Sequence, residues 1–278
     1  MEAVGVVSPG GDAAAGTVRR AVNLGWTDVP VAEVLSSRSG RPVAVDHDVR
    51  AAARAEAVLG AGAGEPDVLL VALGTGVAAA SVGSGGLRDG ATGRAGELGH
   101  MVVVPGGRAC PCGQRGCLER YAAAPAVARR YRELGGTGPA DAAVVVDRLD
   151  TEPAARQAWL EAIDALAAAL TAATALLDPG VVVLAGGLAG AGTRLLDPLQ
   201  HSLAGRATWR PAPAVRLGRL GPVAARSGAA LSAWALVGAT DGWRWPLADP
   251  VTDDRCPTGR PADRASDRAA GSAASVPA

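Results

Sequence analysis

The sequence predicts an α/β fold, because short apolar runs typical of strands alternate with Ala-rich stretches typical of helices. In the second half of the chain this alternation has a βαβ-like order, which indicates parallel strand pairing. The chain has 278 residues with 38 glycines and no phenylalanine, so its core must be built from Val, Leu and Ala. A chain of this length can bury a substantial core and form two packed lobes.

The first half of the chain contains six predicted elements separated by Gly and Pro. Pro30 suits the start of a short helix, and Gly40 suits its end. Two apolar runs flank Gly74-Thr75-Gly76, which is the pattern of a β-hairpin. Strands are expected at residues 3–7, 42–45, 68–73 and 77–82, and helices at 31–37 and 48–59.

The second half begins with a long predicted helix over residues 151–177, with Thr151 as N-cap. A strand at 181–184 follows, then a Gly186-Gly187 turn that opens another helix, and a last helix covers 224–237. The apolar stretch 165–187 is interrupted by Asp-Pro-Gly, which indicates helix, turn and strand rather than a membrane span. Beyond Thr240 the polar, aperiodic composition predicts disorder.

The charge balance excludes one class of partner. Lys and Arg together number 27, as do Asp and Glu, so the formal net charge is zero. Nucleic-acid binding usually needs a basic face, and no nucleic-acid partner is expected. The N-terminal residues lack a basic region followed by a long apolar run, so we expect a cytoplasmic protein without a membrane partner.

An 18-residue window carries the strongest chemical signal. His100, Cys110, Cys112 and Cys117 can complete the tetrahedral nitrogen and sulfur shell that structural zinc prefers. The other interpretation is a group of buried or redox-active cysteines, and disulfides are not expected in a cytoplasmic chain. Cys256 lies in the polar tail and is expected to be an incidental thiol.

Three further features have both a functional and a structural interpretation. Asp48 begins a helix after a strand, where α/β folds tend to hold ligands, but Asp is also a common helix cap. The 74–76 and 186–187 glycine segments suit phosphate or nucleotide binding, and each is equally an ordinary turn. Glu97 and Glu119 flank the Cys/His window, and their carboxylates suit sugar hydroxyls, although solvated surface glutamates have the same spacing.

Together these segments resemble the ROK family, named for repressors, open reading frames and sugar kinases. GELGHM followed by CPCGQRGCLE is similar to its zinc-and-sugar motif in every ligand spacing. The family segment with the catalytic aspartate is similar to VAVDHDVRAAARAE. Its second phosphate loop is similar to LGTGVAAASVGSGGLRDGATGRAGE, and its adenosine segment is similar to DPGVVVLAGGLAGAG. SPGG and NLGWTDVPVAEVL resemble the stretch before the catalytic strand. The resemblance runs from residue 3 to residue 238.

The resemblance implies an actin-like two-lobe fold of hexokinase type, a structural zinc, Mg-ATP as phosphate donor and a homo-oligomer. Asp48 is implied as the general base that takes a proton from the sugar hydroxyl. The implied contacts to a hexose or amino-hexose are Gly10, His47, Asp48, Glu97, His100 and Glu119. The implied ATP contacts are Gly74, Thr75 and Gly76 for the phosphates, and Gly186 and Gly187 for adenosine.

The sequence departs from the family pattern in two places. His47 stands where many family kinases have Asn, which puts one sugar hydrogen bond in doubt. The family's first phosphate loop, D-x-G-G-T, is not found, and the chain begins at what resembles the third family strand. We therefore expect three parts: a remnant N-terminal lobe at 1–66 with the catalytic Asp, a nucleotide and sugar lobe with the zinc motif at 67–240, and a disordered tail at 241–278. We also expect phosphorylation by this chain to be impaired.

Two other functions remain open from the sequence. One is the sugar-sensing part of a ROK transcriptional regulator without its DNA-binding module, and the other is a non-catalytic sugar-binding protein. The kinase interpretation is favoured because Asp48 is retained and no helix-turn-helix segment precedes the domain. Sequence upstream of Met1 would discriminate between a kinase and a regulator.

Overall fold

A computed structural model of the chain describes residues 2–21, 24–138 and 141–238. The strands in this part of the chain are β1 (Val4–Ser8), β2 (Gly11–Asp12), β3 (Thr17–Ala21), β4 (Trp26–Val29), β5 (Val43–His47), β6 (Val68–Leu73), β7 (Val77–Gly83), β8 (Gly86–Leu87), β9 (Val181–Ala185) and β10 (Ala214–Leu217). The α-helices are α1 (Val31–Ser39), α2 (Asp48–Leu59), α3 (Glu119–Ala122), α4 (Ala124–Glu133), α5 (Ala142–Asp147), α6 (Pro153–Leu177), α7 (Thr193–Arg206) and α8 (Ala224–Leu236). Short 3₁₀ turns cover Leu98–His100, Gly187–Ala191 and Gly221–Val223.

The main sheet has five strands in the order β10-β9-β6-β7-β8. Strands β6, β9 and β10 are parallel, whereas β6, β7 and β8 form an antiparallel meander. Helix α6 covers the face that carries Leu69 and Leu73, and helix α2 covers the face that carries Val68 and Leu70. Because both faces are buried, β6 is a continuous apolar run rather than an alternating one.

The first elements form two smaller sheets, one of β1 and β5 in parallel and one of β2, β3 and β4 in antiparallel order. Helix α8, the last described helix, packs against β1, β5 and α2. A Cβ atom on Gly5 would lie 2.0 Å from the Ala229 carbonyl oxygen, and one on Gly228 would lie 1.9 Å from that of Ala51. Glycine at these two positions therefore lets the backbones of α8, β1 and α2 approach closely.

Most predicted elements are confirmed within a residue or two. The helix over 48–59 and the hairpin around 74–76 have the expected bounds, and α1 ends at Gly40 in a left-handed conformation. The sequence analysis did not predict the small β2–β4 sheet, α4, α5 or β10, although α4 has a clear amphipathic pattern with Val127 and Tyr131 on its buried face. The predicted disordered tail and Cys256 lie outside the described residues.

One predicted helix start was wrong. Thr151 is not the N-cap of α6, because Glu152 occupies that position and the Thr151 hydroxyl donates to the Arg148 carbonyl oxygen at 3.3 Å. The helix predicted after the Gly186-Gly187 turn is confirmed as α7, which begins at Thr193 after an intervening 3₁₀ turn. Gly192, with φ 60° and ψ −131°, breaks the helical backbone there.

Helix α6 is long and apolar enough to cross a membrane by length and composition, and it alone meets that test among the residues described. Half of its most apolar window is buried inside the protein. Its buried residues, which include Trp159, Leu166 and Leu170, belong to the largest hydrophobic cluster. The helix therefore forms the centre of the core, as the predicted helix, turn and strand require.

Candidate functional site

The carboxyl ends of β1 and β5 bring Gly10 and the His47-Asp48 pair to one edge of their sheet. In the parallel register Ser8 lies opposite His47. Gly10 has φ +69°, and a Cβ there would lie 2.1 Å from the Arg20 carbonyl oxygen, so only glycine fits this turn. A Cβ on Gly11 would lie 2.3 Å from the Asp46 carbonyl oxygen, which shows how closely this turn approaches the end of β5.

Asp48 has the surroundings of an ionised carboxylate. Its Oδ1 lies 2.7 Å from the Val49 amide nitrogen and 3.0 Å from His47 Nδ1. Burial raises the pKa of Asp48, but the hydrogen bond and charge of His47 and the Val49 backbone amide outweigh it, so the pKa lies below its ordinary value of 3.8. The side chain is 39% exposed, so a substrate can reach it. The N-cap of α2 is His47, whose Nδ1 accepts a hydrogen bond from the Val49 amide at 3.3 Å, so the cap role that the sequence allowed for Asp48 was wrong. Asp48 is the first residue of the helix and is accessible as a base.

A buried ion-pair network supports this edge, and sequence reasoning missed it. Asp46 is 1% exposed, accepts a hydrogen bond from the His47 amide at 2.8 Å, and lies 3.6 Å from Arg50 Nε and 3.3 Å from Arg54 Nη2. Arg50 also pairs with Asp89, in the segment that leads to Glu97. The network thus connects the end of β5 with the segment of a second predicted site residue. The sequence signal that could have predicted this network is the spacing of Arg50 and Arg54, four and eight residues after Asp46 at the end of a strand.

The turn Gly74-Thr75-Gly76 is fixed at both ends while Thr75 is exposed. The Gly74 amide donates to the Gly76 carbonyl oxygen at 3.0 Å, and the Ala124 amide donates to the Gly74 carbonyl oxygen at 2.9 Å. Glu119 Oε2 accepts a hydrogen bond from the Val77 amide at 3.1 Å. Glu119 is thus a bridge between α3 and the hairpin turn rather than a solvated surface glutamate.

The second glycine segment reaches the same edge of the main sheet. Strands β6 and β9 are parallel with Ala72 opposite Ala185, so the chain leaves both strands side by side. Gly186 has φ +87°, and a Cβ there would lie 2.5 Å from the Leu73 carbonyl oxygen. A Cβ on Gly187 would meet nothing within 4 Å, so this backbone borders open space. The structure therefore brings together the two segments that the sequence assigned to nucleotide.

The predicted metal ligands form one cluster. One ligand atom from each of His100, Cys110, Cys112 and Cys117 lies within 4.8 Å of all the others. The Cys112 and Cys117 sulfurs are 3.7 Å apart, and His100 Nδ1 is 3.9 Å from the Cys110 sulfur. A turn through Gly113 and Gly116, both at positive φ, returns the chain to the cluster.

The thiols of this cluster have different acidities. A backbone hydrogen bond at Gln114, together with hydrogen bonds to Cys110 and Cys117, lowers the pKa of Cys112 to about 7. Burial and the neighbouring thiols raise the pKa of Cys117 to about 12. The cluster thus favours a thiolate at Cys112, whereas burial and crowding disfavour a second thiolate at Cys117 unless a cation neutralises the two charges.

His100 directs its two ring nitrogens to different partners. Nδ1 faces the thiols, whereas Nε2 lies 3.9 Å from a carboxylate oxygen of Glu97. The Glu97 side chain is 59% exposed and that of His100 is 38% exposed, so both are open to a ligand. They also line a mostly apolar cavity of about 460 Å³, together with residues such as Met101 and Leu177.

The predicted site residues thus fall into three groups. The first group lies at the edge of the small sheet and consists of Gly10, His47 and Asp48. The second lies at the edge of the main sheet and consists of Gly74–Gly76, Gly186, Gly187 and Glu119. The third adjoins the cysteines and consists of Glu97 and His100. Glu119 joins the second group to the cysteine loop, and the Arg50–Asp89 pair joins α2 to the segment before Glu97. Within the described ranges no hydrogen bond or ion pair joins Asp48 itself to the other two groups.

The ROK family profile matches residues 1–235, and the chain therefore belongs to the ROK family. A glucokinase of Streptomyces coelicolor is 35% identical over 235 residues, which cover 77% of this chain and 74% of that one. The ROK hexokinase from Thermus thermophilus is 36% identical with a TM-score of 0.73, over 85% of this chain and 80% of that one. A ROK glucokinase from Streptomyces griseus, solved with glucose and AMPPNP, is 31% identical with a TM-score of 0.74, over 84% and 82%.

These similarities confirm the predicted family and the α/β, actin-like fold class. They also place the chain close to sugar kinases, because relatives above 30% identity carry glucokinase and hexokinase names. The site residues, the zinc and the division into lobes stay predictions.

Proposed function

We propose that the chain is a sugar kinase of glucokinase type, which transfers the γ-phosphoryl group of ATP to a hydroxyl of a hexose or amino-hexose. The observation that carries this proposal is the position of Glu119. Its carboxylate accepts the Val77 amide beside the Gly74–Gly76 turn, and it follows Cys117 by two residues. This hydrogen bond connects the candidate phosphate turn with the candidate sugar-binding loop. The similarity to glucokinases supports the same activity.

Asp48 acts as the general base in this proposal. The sugar hydroxyl transfers its proton to the Asp48 carboxylate while its oxygen bonds to the γ-phosphorus, and the bond from that phosphorus to the ADP oxygen breaks. A lowered pKa keeps this carboxylate ionised at neutral pH. His47 holds it in position through the 3.0 Å contact of Nδ1, which leaves the other ring nitrogen, Nε2, for a bond to the sugar.

The remaining sugar contacts come from groups that offer free acceptors and donors. Glu97 and His100 have exposed side chains, and Glu119 has one carboxylate oxygen beyond the one that accepts the Val77 amide. The backbone of Gly10 contributes from the turn after β1. Each charged hydrogen bond to a hydroxyl is worth about 1.5–3 kcal/mol, or roughly tenfold or more in affinity.

Mg-ATP is assigned to the edge where β6 and β9 end. The backbone of Gly74, Thr75 and Gly76 and the Thr75 hydroxyl suit phosphate oxygens, because glycine permits close approach of the main chain. Gly186 and Gly187 suit adenosine, since their backbone borders open space at the same edge. Phosphoryl transfer depends mainly on such positioning and on charge stabilisation.

Structural zinc fits the His100 and cysteine cluster. Tetrahedral zinc with Zn–S bonds of about 2.3 Å separates two sulfurs by about 3.8 Å, and the Cys112 and Cys117 sulfurs are 3.7 Å apart. Zinc would stabilise the thiolates that crowding otherwise disfavours, and it would fix the loop that carries Glu119. The His100 ring would keep Nε2 available for the sugar.

The proposal includes weak catalysis by the 278-residue polypeptide. Its sequence has no D-x-G-G-T loop to hold the phosphates from the side opposite Gly74–Gly76. Misplacement of a reacting group costs orders of magnitude, since each increase of about 1.4 kcal/mol in the barrier lowers the rate tenfold. A cytoplasmic location and a homo-oligomeric state belong to the same proposal, and size-exclusion chromatography with light scattering tests the second.

A coupled assay of ADP release tests the activity with glucose, mannose and N-acetylhexosamines. The 278-residue polypeptide should bind its best sugar, as measured by calorimetry, but phosphorylate it very slowly. An extended chain with a D-x-G-G-T segment before β1 should phosphorylate that sugar, and Asp48→Asn in this chain should abolish turnover while sugar binding persists. Asp197→Asn, an exposed carboxylate on α7, is the matched control and should remain active.

Two results would contradict the proposal. Full activity of the Asp48→Asn variant would remove Asp48 as the base. Tight sugar binding without turnover in the extended chain would favour a sugar-sensing or sugar-binding protein over a kinase.

A further inference from the structure

Arg108 and Arg129 converge on the backbone of a third arginine, Arg120, beside the cysteine loop. Arg108 Nη1 and Arg129 Nη2 both donate to the backbone carbonyl oxygen of Arg120, at 3.0 and 3.4 Å. The Arg108 guanidinium also lies over the ring of Tyr121, 4.5 Å from its centroid. The guanidinium groups of Arg108, from the cysteine loop, and of Arg129, from α4, thus meet at the backbone of α3, on which Arg120 lies.

The carboxylates around these arginines do not balance their charge. Glu161 pairs with Arg108 at 3.3 Å and with Arg130 at 2.7 Å, and Glu133 lies 3.8 Å from Arg129 and 3.4 Å from Arg130. The two negative charges of Glu133 and Glu161 therefore stand against four positive charges, those of Arg108, Arg120, Arg129 and Arg130. Arg120 has no ion pair within the described part of the chain, and its Nε is buried without a hydrogen-bond partner.

The guanidinium groups that carry this excess positive charge are partly buried. Burial, followed by the charges of Arg120 and Arg108, lowers the pKa of Arg129. The exposed fraction is 23% for the Arg108 side chain and 34% for that of Arg129, so the guanidinium groups are accessible but incompletely solvated. Like charges in such surroundings repel one another, and a bound anion relieves that repulsion.

We propose that Arg108, Arg120 and Arg129 bind a phosphate group, supplied either as inorganic phosphate or as a phosphate monoester. The two uncompensated positive charges match a phosphate dianion. The planar guanidinium groups provide paired N–H donors with the spacing of phosphate oxygens, a geometry that lysine does not offer. The site is separate from the Gly74–Gly76 turn and does not depend on kinase activity.

A phosphate at this position would bind the cysteine loop to α3 and α4. Arg120 follows Glu119, and Arg108 lies two residues before Cys110. The ligand would therefore stabilise the segment that holds the Gly74–Gly76 turn through Glu119. A ligand that binds only the native state stabilises it by RT ln(1 + L/Kd), where L is the free ligand concentration, so the melting temperature rises with phosphate concentration.

Calorimetric titration of the full chain with inorganic phosphate tests the proposal, without nucleotide or sugar. Arg120→Ala should weaken phosphate binding about tenfold or more, and Arg129→Gln should do the same. The control is Arg38→Ala on α1, an exposed arginine without an ion pair in the described residues, and it should bind like the wild type. Titrations with glycerol phosphate and glucose 6-phosphate show which source of phosphate is preferred.

Thermal melting provides the second measurement. Phosphate should raise the melting temperature of the wild type and of Arg38→Ala, and it should have little effect on Arg120→Ala or Arg129→Gln. Unchanged phosphate affinity in both cluster variants would overturn the proposal. If Arg120→Ala does not fold, the Arg129→Gln variant tests the proposal. The Arg129 side chain lies on the partly exposed face of α4, so its substitution should leave the fold intact.

Discussion

Removing the charge of Glu56 should destabilise the fold, because this carboxylate anchors two distant segments. Glu56 is fully buried near the end of α2. It accepts hydrogen bonds from three backbone amides: Ala61 at 2.8 Å, Arg219 at 3.1 Å and Leu220 at 2.8 Å. The last two lie 163 and 164 residues away, at the entry to α8. Glu56 thus fixes α8, which packs on the elements that present Asp48.

The change Glu56→Gln gives the sharpest estimate of this effect. Two of the amides share Oε2 and the third uses Oε1. A glutamine has one acceptor oxygen, so at least one buried amide must face an NH₂ group. At about 1.5–3 kcal/mol for each charged hydrogen bond, we expect a loss of about 3 kcal/mol in unfolding free energy. For a domain of this size that corresponds to a fall of roughly 6–12 °C in melting temperature.

Differential scanning calorimetry measures this fall directly, with urea unfolding as an independent check. Glu33→Gln is the control, because this residue is exposed on α1, and surface substitutions of this kind usually stay within about 0.5 kcal/mol. A Glu56→Gln protein that melts within about 2 °C of the wild type would show that the three hydrogen bonds are not worth their assigned energy.

Three further predictions concern the candidate site. Cys112→Ser should lose about one equivalent of zinc by elemental analysis, because three ligands hold the ion less tightly, and equal zinc content in both proteins would contradict the assignment. Gly186→Ala should weaken AMPPNP binding in calorimetry, because a Cβ would lie 2.5 Å from the Leu73 carbonyl oxygen at φ +87°; wild-type affinity would separate this glycine from the nucleotide. The pKa of Asp48 lies below 3.8, so its ionised form stabilises the fold above about pH 4, and this stabilisation is lost as pH falls through the lowered pKa. The difference in melting temperature between wild type and Asp48→Asn should therefore shrink below about pH 4, and a constant difference would refute the shift.

The sequence by itself determined the elements whose pattern is local. The helix at Asp48–Leu59, the hairpin around Gly74–Gly76 and the strand at Val181–Ala185 follow from apolar periodicity and from Gly and Pro at their ends. The Cys/His cluster was equally predictable, because its four ligands lie within 18 residues and their types suit one metal. Patterns of this kind depend on neighbours that the chain keeps close in any fold.

Only the tertiary structure decided which residues meet across long stretches of chain. The contact of Glu119 with Val77 and the pair of Arg50 with Asp89 carry no sequence signal of their own. Glu56 looks like one more polar helix residue, yet its partners are more than 160 residues away. A charged side chain becomes an anchor, a bridge or a binding group according to what packing places opposite it, because burial sets the strength of its interactions.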